Sequence, residues 1–157
     1  MVSEIALVVT ALGVLGAVYG LRQSYRERLR QFEAMYVNRY WSLLDRLSLD
    51  ALSGADPKAI SPSDQKVIRS YLFLCEDELE MRERGYIADS TFHIWAGGIC
   101  EQLNQPMFRK TWNEVSSEPT FPYEHLTRLL DEGSEYDPCA MPKWRRRLRG
   151  LAGISGV

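Results

Sequence analysis

Residues 5–21 read IALVVTALGVLGAVYGL, and the run stops at Arg22, with Arg26, Arg28 and Arg30 following within about two turns. With Val2 included, the apolar stretch approaches the ~20 residues a helix needs to cross ~30 Å of hydrocarbon. A cleaved leader would begin with a basic residue and end at a small-x-small site. This chain begins Met-Val-Ser-Glu, and Tyr19-Gly20-Leu21-Arg22 offers no such site. A buried core helix is seldom apolar on every face over this length. The segment 1–21 is therefore expected to be a transmembrane anchor. The short N-terminal flank has no Lys or Arg, so the positive-inside rule places residues 1–4 outside and the C-terminal ~135 residues in the cytoplasm of a bacterial inner membrane. Tyr19 and Tyr25 bracket the inner boundary.

Outward from that anchor the helix has no reason to stop, because neither Gly nor Pro occurs between Leu21 and Leu52. Leu21, Tyr25, Leu29, Phe32, Tyr36, Tyr40, Leu43 and Leu47 recur at steps of 4, 4, 3, 4, 4, 3 and 4 and hold one face of a helix. The spacing predicts a juxtamembrane stalk over 22–52, and span plus stalk make a rod of roughly 70 Å. The stripe is covered either by a second helix or by the protein's own domain folding back.

After the break at Ser53-Gly54-Ala55-Asp56-Pro57, Ser61-Pro62-Ser63-Asp64 carries an N-cap, a first-position proline and a first-turn acid. A helix over 62–84 follows, with Gly85 as its stop. Asp89 or Ser90 is expected to cap the next helix, which carries Phe92, Trp95, Ile99 and Leu103 and whose Gly97-Gly98 pair suggests a close helix neighbour. Pro106 opens a short helix, and a last one over 123–132 ends at Gly133. No β-strand is expected. The fold class is all-α: a single N-terminal transmembrane helix continuing into a long stalk, then a small helical bundle over 62–133 completed by the stalk, with a basic tail over 134–157.

Charge is segregated. Between Asp50 and Asp137 there are 17 acidic and 8 basic residues, whereas 143–149 holds five basic and no acidic ones. A negative domain body disfavours nucleic acid as a partner, while the basic pieces favour anionic lipid. Cys75, Cys100 and Cys139 lack ligand spacing and read as free thiols, the first two buried.

The stretch YLFLCEDELEMRERGYIADSTFHIWAGGICEQLNQPMFRKTWNEV resembles small bacterial proteins that join one N-terminal span to a helical domain of unknown function. The likeness rests on Tyr71 to Glu83, Gly85 to Ile87, Trp95, and Pro106-Met107-Phe108-Arg109 to Trp112. It implies a membrane-tethered helical domain and supplies no activity.

Four constellations remain. Gly16-x-x-x-Gly20, with Gly13 and Ala17 as a second small pair, permits close contact between membrane helices, although glycine is also simply common in spans. Glu76-Asp77-Glu78-Leu79-Glu80 with Arg82-Glu83-Arg84 lacks the Glu-x-x-His pairs of a di-metal bundle and reads as a solvated face carrying Glu78–Arg82 and Glu80–Arg84 pairs. His93, beside Phe92 and Trp95, reads as packed, and His125 as exposed. Neither has a nucleophile motif nearby, so no catalytic, cofactor-binding or metal residue is assigned. Arg22, Arg26, Arg28 and Arg30, together with Trp144, Arg145, Arg146, Arg147 and Arg149, form the expected membrane interface.

The function expected from these residues is that of a non-catalytic accessory or scaffold subunit, which pairs through span and stalk with a membrane protein partner or with itself. The alternative is a membrane-active effector or sensor whose helical domain controls association of the spans.

Overall fold

The computed structural model describes residues 2–54, 60–118, 120, 122–139, 142 and 144, with the side chains of 2–8 and of 134 left aside. Among them six α-helices and one 3-10 turn follow in order: α1 (Val2–Leu44), α2 (Leu49–Leu52), α3 (Pro62–Glu83), α4 (Asp89–Leu103), α5 (Pro106–Val115), α6 (Glu124–Glu132) and the turn Gly133–Glu135. Among the described residues there is no β-strand, and the all-α expectation holds.

The helix α1 is a rod about 65 Å long at 1.5 Å per residue. It ends at Leu44, eight residues before the expected break, for a reason that lies far along the chain. Asp64, at the start of α3, accepts hydrogen bonds from the Ser48 backbone N–H and hydroxyl, each at 2.9 Å, and from the Ser61 hydroxyl at 2.7 Å. Ser48 is thereby held in extended conformation as the N-cap of α2, which a continuous helix would not allow. Burial pushes the Asp64 carboxyl up, but the three donors together outweigh it and hold the group below its ordinary value.

The helix α3 is the pivot on which α1, α5 and α6 all pack. It begins as expected, with Ser61 as N-cap and Pro62 in the first turn. Its end is a Schellman arrangement: Gly85 takes φ 79°, its N–H donates to Arg82 O, and Tyr86 N–H donates to Met81 O at 2.9 Å. The helix α4 packs on α5 and α6. The core runs from Tyr36 and Leu43 of α1 through Ile68, Leu72 and Leu79 of α3 to Phe92, Phe108, Leu126 and Leu129. Tyr71 stands edge-on to Phe108 at 5.4 Å, and Trp112 to Tyr123 at 6.0 Å, geometries that aromatic quadrupoles favour.

The stalk stripe is covered by the protein's own domain. Leu29, Tyr36, Leu43 and Leu47 are buried, with Phe32, Tyr40 and Leu44 partly so. Leu21, at the start of the stripe, stays 72% exposed.

Candidate functional site

The acidic run on α3 is not the solvated face its charges suggest. Glu80 and Arg84 do make the expected pair at 2.8 Å. Glu76, Glu78 and Arg82 instead turn inward and are buried. Glu76 accepts from the backbone N–H groups of His125 and Leu126 at 2.9 and 2.8 Å. It thus caps α6 from across the bundle, where Tyr123 supplies no side-chain cap of its own. Arg82 is 1% exposed and donates to Asp89, to both oxygens of Asp137 at 2.9 and 2.8 Å, and to Ile87 O, with the Phe92 ring 5.0 Å from its guanidinium carbon. The expected Glu78–Arg82 pair therefore does not form. Asp89 is no cap either; the N-cap of α4 is Ala88, whose N–H is taken by Glu33 of α1 at 3.1 Å.

Glu78 is the exception among these charges. Its side chain faces a pocket of about 260 Å³ where α1, α3 and α4 meet. Tyr40 and Trp41 line it from α1, Tyr71 from α3 and Trp95 from α4. Tyr40 lies 5.2 Å from Trp41 and 6.1 Å from Tyr71, ring centre to ring centre. Val37, Trp41 and Ile94 form an exposed apolar rim, Ile94 most openly at 74%. Glu78 itself is 9% exposed and has no hydrogen bond or ion pair among the described residues. Burial first, then the neighbouring Asp77, push its carboxyl up to about 8, against an opposing pull from Arg39.

Gly98 opens one wall of this pocket. A Cβ on either Gly97 or Gly98 would meet nothing within 4 Å, so the close helix neighbour expected at this pair is absent. The missing side chain at Gly98 leaves that wall of the pocket open.

The histidines depart from expectation in opposite senses. His93 is exposed, its ring 5.8 Å from Phe92. His125 is half-buried, with Nδ1 2.6 Å from the Tyr136 hydroxyl and Nε2 3.7 Å from Glu83. Burial raises the Tyr136 phenol to about 12, so at neutral pH it stays protonated and serves as a tie between α6 and the segment that follows. Cys75 and Cys139 are buried and Cys100 is half-buried; all three are free thiols. Among the described residues no group of three or more His, Cys, Asp and Glu side chains is placed to hold a metal.

The remaining sites lie along α1 and the tail. Gly13, Gly16, Ala17 and Gly20 are exposed, and a Cβ on any of the three glycines would meet nothing within 4 Å. Val9, Leu12, Val14, Leu15, Val18 and Tyr19 are each more than half exposed. Arg22 is half-buried with an unpartnered Nε, while Arg26, Arg28 and Arg30 are exposed. Trp144 is 58% exposed; Arg145, Arg146, Arg147 and Arg149 lie outside the described residues. Among the described residues no helix is long and apolar enough to cross a membrane. The first four side chains of the 5–21 run are not among them.

Of the pocket residues, the periodicity of the sequence marks Tyr40, Tyr71 and Trp95 only as core. Glu78 is hidden within its charge run, and no local signal separates it from Glu80. Among known proteins, no family model, curated protein or solved structure matches this chain.

Proposed function

We propose that the chain is a membrane-anchored, non-catalytic accessory or scaffold subunit, with its N-terminus outside and its helical bundle in the bacterial cytoplasm. It associates through its span and stalk with a larger membrane protein or with a second copy. The observation that carries this reading is the change in burial along α1. The bundle covers one face from Leu29 onward and leaves Val9 to Leu21 bare on every side. Six Val and Leu side chains in that segment stand in the open, and covering them is worth roughly 5–10 kcal/mol. Lipid tails or a partner helix would supply that cover.

The sequence supports lipid as the larger part. The run starts at Ile5, residues 1–4 carry no Lys or Arg, and Arg22, Arg26, Arg28 and Arg30 follow it. The glycines at 13, 16 and 20 have open space beside them, as a close helix pairing requires. The test is purification of the tagged full-length chain in mild detergent, followed by mass spectrometry and crosslinking. A stoichiometric membrane partner or a self-crosslink through α1 is expected, weakened by Gly16→Leu with Gly20→Leu. A chain that stays monomeric and partnerless in the membrane extract contradicts the reading.

A second reading, that of a sensor, is favoured by one observation. The pocket holding Glu78 takes Tyr40 and Trp41 from α1, the helix that leads directly into the apolar segment. A ligand there would bear on the rod itself.

A further inference from the structure

Outside backbone capping and the Arg82 cluster, one buried ionisable side chain remains without a partner among the described residues. Glu78 is nine-tenths buried, has no hydrogen bond or ion pair among the described residues, and faces the aromatic pocket. A carboxylate in such surroundings is costly unless something pairs with it. The walls around it are chemically of one kind. Indole and phenol rings present electron-rich faces that attract a cation within about 6 Å, most strongly when water is excluded. Carboxylate and rings together suit a cation with an apolar surface, because a strongly hydrated ammonium or metal ion would lose more hydration on entry than the rings return.

We propose that the pocket formed by Tyr40, Trp41, Tyr71, Trp95 and Glu78 is a binding site for a small organic cation of the quaternary or tertiary alkylammonium class, with Glu78 as its counter-charge. The volume, about 260 Å³, lies just below the usual range of drug-sized ligand sites and fits a headgroup-sized cation. Gly98 provides the open side through which it enters. The inference does not depend on the membrane reading. Where that reading holds, Trp41 stands about 30 Å along α1 beyond Leu21, too far for a lipid headgroup of the same membrane, so the cation is a free solute.

The site carries its own pH signature. In the empty pocket the Glu78 carboxyl, raised to about 8, is protonated at neutral pH. A bound cation selects the ionised form, so affinity rises as pH climbs from 6 to 9 and one proton leaves on binding near neutrality. The charged groups facing Glu78 are Asp77 on its own helix and Arg39 on α1. Tyr36, Tyr40, Tyr71 and Cys75 are all shifted upward by burial and stay protonated through this range. The pocket wall from α4 is Ile94, Trp95, Gly98 and Ile99, none of them titratable.

The test is a titration of the full-length protein in maltoside detergent, followed by calorimetry and by tryptophan fluorescence from Trp41 and Trp95. Choline chloride is the probe, dimethylbutanol its uncharged carbon counterpart, and sodium chloride the ionic control. Saturable binding of choline is expected, at least roughly tenfold tighter than the alcohol and tightening toward pH 9. Glu78→Gln should weaken it roughly tenfold or more and remove the pH dependence. Gly98→Leu, at a position with open space for its side chain, should abolish it while circular dichroism stays unchanged. Equal binding of choline and the alcohol, binding that survives both substitutions, or no saturable response from the unsubstituted protein would each overturn the assignment.

Discussion

The two halves of α1 share one helix and have opposite surroundings. From Leu29 to Leu44 one face of the helix is bundle core: Tyr36 and Leu43 are buried, the Phe32 ring lies tilted 5.1 Å from Tyr36, and Glu33 reaches across to the N-terminus of α4. From Val9 to Leu21 the side chains are just as apolar, yet they stand exposed, with no cover among the described residues. A stripe of aromatics with charged flanks is enough to seat a helix against its own domain. An apolar surface on every face cannot be seated that way, since a bundle can cover only one side. Hydrophobicity thus means two different things along one rod, and the two are told apart by the width of the apolar face.

The comparison can be broken most forcefully by cutting the helix. Removal of residues 1–21 should leave a folded bundle that needs no detergent, with its thermal midpoint little changed, measured by calorimetry on the truncated protein. Aggregation or loss of the cooperative transition would show that the bare half stabilises the bundle after all. Single truncations make the same contrast residue by residue. Tyr36→Ala, in the covered half, should cost about 3–5 kcal/mol in chemical denaturation. Leu15→Ala, in the bare half, should change bundle stability by less than about 0.5 kcal/mol.

Glu78→Gln tests whether the pocket beside the covered half is strained by its charge. A carboxyl raised to about 8 in the folded chain, against 4.5 for the free group, favours the protonated folded state. That contribution is complete below pH 4.5 and is lost as pH rises through 8. The substitution should therefore be nearly neutral at pH 4 and stabilising at pH 9, by up to about 5 kcal/mol. Asp64 works with the opposite sign. Its depressed carboxyl stabilises the α1–α2 corner above its unfolded value and ceases to do so in acid, so Asp64→Asn should remove part of the acid sensitivity. The smallest effect concerns the exposed glycines. Gly97→Ala should raise stability by about 0.5–1 kcal/mol, since the added Cβ meets nothing; a loss would reveal a neighbour at that face.

Local signals made most of the fold legible. Ser61-Pro62 opens α3, Gly85 closes it with a positive φ, Pro106 opens α5 and Gly133 ends α6. Long-range pairing escaped them. The end of α1 depends on Asp64 reaching Ser48, 16 residues away, and Glu76 caps a helix about 50 residues downstream. The charge run on α3 misleads because neighbours at four-residue spacing can pair only if that face meets water. Here α3 is surrounded by α1, α5 and α6, and Glu76, Glu78 and Arg82 find partners, or a pocket, in other elements. The pocket residues were visible as aromatics but not as walls, because their convergence needs three helices at once.

We propose that the apolar opening of α1 resides among lipid tails. Its most direct test is the partition of the full-length chain after alkaline carbonate extraction of membranes. The account predicts that the protein stays in the membrane pellet and is released only by detergent, while the chain lacking residues 1–21 passes to the supernatant. Full-length protein recovered in the carbonate supernatant would contradict it.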